Sequence, residues 1–344
     1  MFEHKFSANK MLVSVWCFYP LETMAPSKKN MNKKKAKFRS QAQKQWTQPL
    51  FKGEDGDTVI AVMGPTGVGK STFVRYLVEG LEGMLPQAVT VKVGDDLESC
   101  TVNLQPIPIP RAVLPSFLKA ADRQRFRGGE FKRLVVVDTP GFDDTYENDS
   151  EILKRIAEWL ALSYSQDMKL GGVIYLHDIS QARMLGTHRR NFEMFTALCG
   201  DDARRSVVLA TTKWDQIMPE VGLKREAQLR SKFWKEMIGG GAHTHRFDSN
   251  PKSAWQIVHG LLDSETDRLL HIQKELVEME KIIPSTEAGK QLRFTIEEVL
   301  KMMRDSQESD AADAQRKEVL EKLDDQIKQL KIPLLYRIKT FFSF

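Results

Sequence analysis

The sequence predicts an α/β protein, a three-layer, doubly wound, mostly parallel sheet with an α-helical, coiled-coil-like extension at its C-terminal side. Three observations carry this. An apolar run at residues 58–63 leads at once into a glycine-rich turn and then into Phe73, Val74, Leu77 and Val78, which are spaced as on one helix face. Further continuous apolar or β-branched runs at 134–138, 173–176 and 207–210, with a shorter one near 244–247, alternate with amphipathic stretches, as parallel strands covered on both faces do. From Arg268 onward the pattern becomes charged helix with apolar residues three and four apart.

The chain's 344 residues suffice for one sizeable core and an appendage, and 41% apolar with 28% charged residues exclude wholesale disorder. Its formal charge of +5 is unevenly spread: residues 1–57 hold 11 Lys/Arg against 5 Asp/Glu, so the remainder is close to neutral and needs no nucleic-acid-binding face. Cys17, Cys100 and Cys199 have no metal-ligand spacing and fit a reducing compartment. No run is long enough for a membrane-spanning helix.

Residues 1–50 are expected to be a basic leader without stable structure, since Ala25 to Lys44 is dominated by Lys, Ser, Asn and Gln. Next comes the central motif, Gly64-Pro65-Thr66-Gly67-Val68-Gly69-Lys70-Ser71-Thr72. Strand, glycine loop and helix in that order, with G-x-x-x-x-G-K-S spacing, are the requirements of a phosphate-binding P-loop. The glycines let backbone N–H groups turn inward as an anion nest at a helix N-terminus. Lys70 then supplies a point charge to the β- and γ-phosphates, and the Ser71 hydroxyl is a ligand for Mg²⁺.

On a parallel sheet, ligands bind at the carboxyl ends of the strands. There the sequence places Asp138-Thr139-Pro140-Gly141-Phe142, then Thr211-Thr212-Lys213-Trp214-Asp215, then Asn250-Pro251-Lys252-Ser253-Ala254-Trp255. Asp138 is positioned to hold Mg²⁺ through water, and the N–H of Gly141 to sense the γ-phosphate. The Asp215 carboxylate can accept hydrogen bonds from guanine N1–H and its 2-amino group, a pair adenine lacks. The Lys213 stem would cover one face of the base, and Ser253-Ala254 would offer a backbone N–H to the guanine carbonyl.

These four segments resemble the G domain of translation-factor-class GTPases, and within them the septin-like and immunity-associated (avirulence-induced, paraseptin) group, fungal-type members above all. Tyr175-Leu176-His177-Asp178-Ile179-Ser180, continuing to Arg183-Met184-Leu185-Gly186-Thr187 and Asn191–Phe195, resembles that group's additional box. The resemblance covers about residues 58–265. It implies Mg²⁺-dependent binding of GTP and GDP, and hydrolysis controlled by homodimerisation through the G domain. It also implies a switch threonine that closes on Mg²⁺; Thr101 is the choice, with Thr90 and Ser99 as alternatives. The alternating Pro and Ile of residues 106–110 suggest an extended edge segment.

Two departures stand out. Phe142 occupies the place of a water-orienting glutamine, so hydrolysis is expected to be slow alone, with Arg183, His188, Arg189 and Arg190 as candidates for contacts in trans. Thr212 replaces the usual asparagine of the base-reading loop, where its hydroxyl can still brace the P-loop. An ATP-using kinase would instead need an arginine-rich lid, and Arg123, Arg125, Arg127 and Arg133 lie on the wrong side of the Asp138 strand for one. A nucleotide-dependent scaffold with negligible hydrolysis is the alternative reading.

The expected division is a leader over 1–50, a G domain over 51–265, a helical or coiled-coil extension over 266–333 and an apolar tail over 334–344. In the extension Leu292, Ile296, Val299 and Met303, then Leu320, Leu323, Ile327 and Leu330, suit either a coiled-coil partner or a hairpin folded back on the G domain. The aromatic tail is a candidate for a peripheral membrane contact, in a protein expected in the cytoplasm.

Overall fold

The computed structural model describes residues 27–45, 51, 53–79, 81, 104–114, 132–142, 149–184, 186–262, 269–305 and 313–331. Its strands are β1 (Asp57–Met63), β2 (Gln105–Pro110), β3 (Arg133–Asp138), β4 (Lys169–Asp178), β5 (Val207–Thr212) and β6 (His243–Arg246). They form one sheet in the order β2-β3-β1-β4-β5-β6. Every pairing is parallel except that of β2 with β3. The proline-alternating segment is thus an antiparallel edge strand, as its composition requires, because proline cannot donate to a ladder on both sides.

The continuous apolar runs are explained by two cores, one on each side of the sheet. Ile60, Val62, Leu134, Val136, Ile174, Leu176 and Val208 face α2 (Lys70–Val78) and a later helix, Pro251–Leu262, through Phe73, Leu77 and Val258, with Phe247 of the loop between β6 and that helix in the same cluster. Their chain neighbours Val59, Ala61, Met63, Val135, Val137, Val173, Tyr175 and Val207 face α3 (Asp149–Ser165) and α4 (Gly186–Cys199) through Leu153, Ile156, Leu160, Phe192 and Phe195. Side chains alternate across a strand, so a strand buried on both faces reads as unbroken apolar sequence. β1 lies between β3 and β4, which places its carboxyl end at the point where the chain's winding reverses, the usual ligand crevice of such sheets.

The C-terminal residues continue the second core rather than leaving it. After α5 (Pro219–Gln228) and α6 (Pro251–Leu262) come α7 (Glu287–Asp305) and α8 (Asp313–Gln329). Leu292, Ile296 and Leu300 of α7 and Leu323 of α8 are buried in the same cluster as Val59 and Leu153. Of the two arrangements that their spacing allowed, the structure has the folded-back hairpin. Glu275, fully buried, accepts the N–H of Glu287 at 3.1 Å and pairs with Lys281 at 2.9 Å, so a carboxylate satisfies the start of α7 and complements its dipole. Gln326 and Gln329 of α8 accept hydrogen bonds from the backbone N–H and the hydroxyl of Ser150, at the start of α3.

One expectation fails. The basic stretch forms α1 (Lys28–Gln45), which buries Ala42 and lies on the α3 side of the molecule. Lys35 pairs with Asp167 at 2.7 Å and sits 4.1 Å above the Tyr164 ring, and Lys37 pairs with Glu280 at 2.9 Å. The residues are few in apolar side chains but rich in Lys, Ala and Gln, which are good helix formers, with neither Gly nor Pro between Ser27 and Gln45. The aromatic tail and residues 1–26 lie outside the described residues. No helix among the described residues is long and apolar enough to cross a membrane.

Candidate functional site

β1 is buried along its whole length and ends at Gly64, where the loop begins. A Cβ on Gly64 would lie 2.6 Å from the carbonyl oxygen of Leu176 on β4, so the loop can leave the sheet here only without a side chain. Gly67 and Gly69 have φ of 73° and 96°, the left-handed turn that lets the loop wrap into the N-terminus of α2. Lys70 is buried and donates to the carbonyls of Gly64 at 3.0 Å and Pro65 at 2.8 Å. Burial lowers its pKa to about 8, against the opposing pull of Asp138. The Ser71 hydroxyl donates to Asp138 Oδ2 at 2.5 Å. A hydroxyl and a buried carboxylate facing each other beside a phosphate-type loop are hard oxygen donors that fit Mg²⁺, which keeps several waters and shares its remaining positions with phosphate. Among the described residues no cluster of three His, Cys, Asp or Glu forms a dedicated metal cage, as such a site requires none.

The loop after β3 closes on the same place. Thr139 donates to the Val62 carbonyl at 2.8 Å, and the Phe142 carbonyl accepts the Thr66 N–H at 3.4 Å. Gly141 is pressed so close that a Cβ on it would lie 2.6 Å from Thr66 N and 2.7 Å from Lys70 Nζ. Phe142 itself is buried in the core on the α3 side and offers no polar group. Thr101 lies outside the described residues, as do Thr90 and Ser99.

The Thr212 hydroxyl donates to the carbonyl of Val68 at 2.9 Å, the brace expected of it. Lys213 adopts a left-handed φ of 58° and its ammonium pairs with Asp178 at 2.9 Å. Burial raises the Asp178 pKa, but hydrogen bonds from Ser180 and Lys213 outweigh this and hold the carboxylate below its usual range. Trp214 anchors the following turn: its Nε1–H donates to Thr211 at 2.9 Å, and Arg246 lies 4.3 Å over its ring. Asp215, one residue on, is exposed in the turn Trp214–Gln216, which follows the carboxyl end of β5.

Two expectations need correction. Ser253 and Ala254 do not offer free N–H groups: they are buried in the first turn of α6, where their N–H groups donate to the side chain and main-chain oxygens of Asn250 at 2.9 and 3.2 Å. The loop directly after β6 is Phe247–Asn250, with Ser249 in a left-handed conformation, φ 51°. His188 is not a surface residue available in trans. It is buried, with its ring 6.4 Å from that of His177. Arg189 pairs with Glu193 on its own helix at 2.9 Å. Arg133 pairs with buried Asp57 at 2.6 Å, at the end of the sheet away from the loop, which is a structural role.

His177 is the residue that sequence reading left without a role. It is the penultimate residue of β4, is buried, and helps line a cavity of about 140 Å³ with Thr66, Gly67, Asp178, Gln181, His188 and Lys213. Burial, with His188 adding to it and Asp178 opposing, lowers its pKa to about 4. The imidazole is therefore neutral at neutral pH.

No family model and no curated protein matches the chain. Among solved structures, it is similar to Toc33 from Arabidopsis thaliana in complex with GDP and Mg²⁺, at 16% identity over 70% of this chain and 94% of that one, with a TM-score of 0.42. It is also similar to a structure described by the importance of dimerisation for the GTPase activity of the chloroplast translocon components atToc33 and psToc159, at 14% identity over 71% and 94% of the two chains and a TM-score of 0.40. The translation elongation factor SelB from Methanococcus maripaludis, bound to a GTP analogue, matches at 10% identity over 63% of this chain and 35% of that one, with a TM-score of 0.36. The six-stranded sheet, with its glycine loop at the carboxyl end of β1, is the fold of a P-loop G domain.

Proposed function

We propose that this chain is a Mg²⁺-dependent GTP-binding protein that hydrolyses GTP to GDP and phosphate slowly and works as a nucleotide switch. The observation that carries the reading is the meeting of Ser71 and Asp138 at 2.5 Å beside the buried ammonium of Lys70. An ion held there would supply positive charge against the charge that develops on the phosphates. Ser71 would ligate it and Asp138 would hold its water, while the loop N–H groups and Lys70 orient the phosphates. Asp215, carried by the Trp214-anchored turn, selects guanine. Thr101 is retained as the switch threonine on the resemblance alone.

Membership of the septin-like, immunity-associated group belongs to the same proposal, as do a homodimer through the G domain, a cytoplasmic location and a peripheral membrane contact by the tail. Buried Phe142 supports control by a second protomer, because nothing at that position can orient water. It equally favours the second reading, a scaffold that binds GTP and barely hydrolyses it. Phosphate release per molecule, measured against protein concentration, separates the two. A rise with concentration supports the dimer-controlled switch, a flat and appreciable rate removes dimer control, and tight GTP binding with no release leaves the scaffold.

A further inference from the structure

With Phe142 committed to the core, another group must orient the attacking water, and the phosphate loop itself carries one. Thr66 Oγ1 is buried and has no hydrogen-bond partner among the described residues. A buried hydroxyl left without a partner is costly, so its retention at this position asks for a cause. Its surroundings supply one. The point one carbon–carbon bond out from Gly141 Cα lies 2.6 Å from Thr66 Oγ1, 2.6 Å from Thr66 N and 2.7 Å from Lys70 Nζ. Three polar groups from the loop thus converge in front of the glycine that follows Asp138 and Thr139. Lys70 is the residue of the loop that reaches the terminal phosphates, so the Thr66 hydroxyl stands on the side where the γ-phosphoryl group and its attacking water must be accommodated.

We propose that the Thr66 hydroxyl positions the attacking water against the γ-phosphoryl group of GTP, in place of the absent glutamine. This rests on the reading of the chain as a GTP hydrolase. In the step, the water oxygen forms a bond to the γ-phosphorus. The bond from that phosphorus to the bridging oxygen breaks, and its electron pair goes to the β-phosphate. The water proton passes to the released phosphate. Thr66 keeps its own proton throughout: a lone pair accepts a hydrogen bond from the water, and the O–H donates to a γ-phosphate oxygen.

Thr66 is not among the residues with positive φ, so a β-branched replacement is compatible with the backbone, and Thr66→Val removes the hydroxyl while keeping nearly the same shape. The test uses the full chain with Mg²⁺ and GTP, and compares single-turnover phosphate release and GTP affinity for wild type, Thr66→Val and Thr66→Ser. The expected result is a turnover about a hundredfold lower in Thr66→Val, with the affinity changed less than about threefold, and a rate within about threefold of wild type in Thr66→Ser. Unchanged turnover in Thr66→Val overturns the inference. So does a parallel loss of affinity and turnover, which would make Thr66 a residue that holds nucleotide rather than water. A serine variant as slow as the valine variant also overturns it. Wild type that binds GTP but releases no phosphate overturns the hydrolysis reading itself, and this inference with it.

Discussion

Lys70 gives a proton-linked signature of phosphate binding. Its ammonium is buried against two loop carbonyls, and burial brings its pKa to about 8. A phosphate arriving in the loop stabilises the charged form and restores a pKa at or above the ordinary ~10.4, a change of about 2.4 units, or about 3.3 kcal/mol of coupling. The sign follows directly. Below pH 8 lysine is charged with or without ligand and affinity is flat. Above pH 8 the free protein must take up a proton to bind, so affinity for GDP falls by up to about tenfold per pH unit until the bound-state pKa is reached. Titration calorimetry of GDP with Mg²⁺ at pH 9, in buffers of different ionisation enthalpy, should report uptake of about 0.9 proton, against about 0.1 at pH 7 from this group. The Lys70→Met variant should bind more weakly and take up none. A GDP affinity constant from pH 7 to 9.5 with no proton uptake would refute the assignment of Lys70 as the buried phosphate ligand.

Two further outcomes test the packing around the site. His177 has a pKa of about 4 when folded against ~6.5 unfolded, so between those values the unfolded chain binds more protons and stability falls as pH is lowered, by up to about 3 kcal/mol at pH 4. Urea midpoints for wild type and His177→Phe from pH 4.5 to 7 should show a shallower decline in the variant; equal slopes would mean that the imidazole is not buried. Leu323→Ala, at a position 1% exposed against the α3-side core, should cost about 2–5 kcal/mol in one cooperative urea transition. An unshifted midpoint would mean that α8 is not packed on the G domain.

β1, β3, β4 and β5 were legible because each is buried on both faces for most of its length, so its sequence holds an unbroken apolar run. The loop was legible because phosphate chemistry constrains Gly64, Gly67, Gly69, Lys70 and Ser71 by spacing as well as by type. β2 was legible only as an extended edge, from prolines 106, 108 and 110. Less of the rest could be read. α1 has no apolar stripe wide enough to mark a helix, and its stability comes from helix-forming residues and contacts such as Lys35 with Asp167 and Tyr164. The 253–254 assignment failed because a Ser-Ala pair reads the same in a loop as in a first helical turn. Asn250, which caps α6 by accepting the Ser253 N–H, and Pro251 at the start of that helix were the signals that could have moved the loop upstream. His177 sat in a segment noted for its resemblance, but its burial beside Trp234 and His188 depends on contacts far apart in sequence, which no local pattern encodes.

The most direct test of the central claim is the Mg²⁺-dependent affinity of the full chain for GTP and for ATP, with Asp215→Ala alongside. Two hydrogen bonds from guanine to a carboxylate are together worth about 3 kcal/mol or more, so wild type should prefer GTP by at least about a hundredfold and the variant should lose that preference. Equal affinity for the two nucleotides in wild type, or a preference for GTP that survives the loss of Asp215, would contradict it.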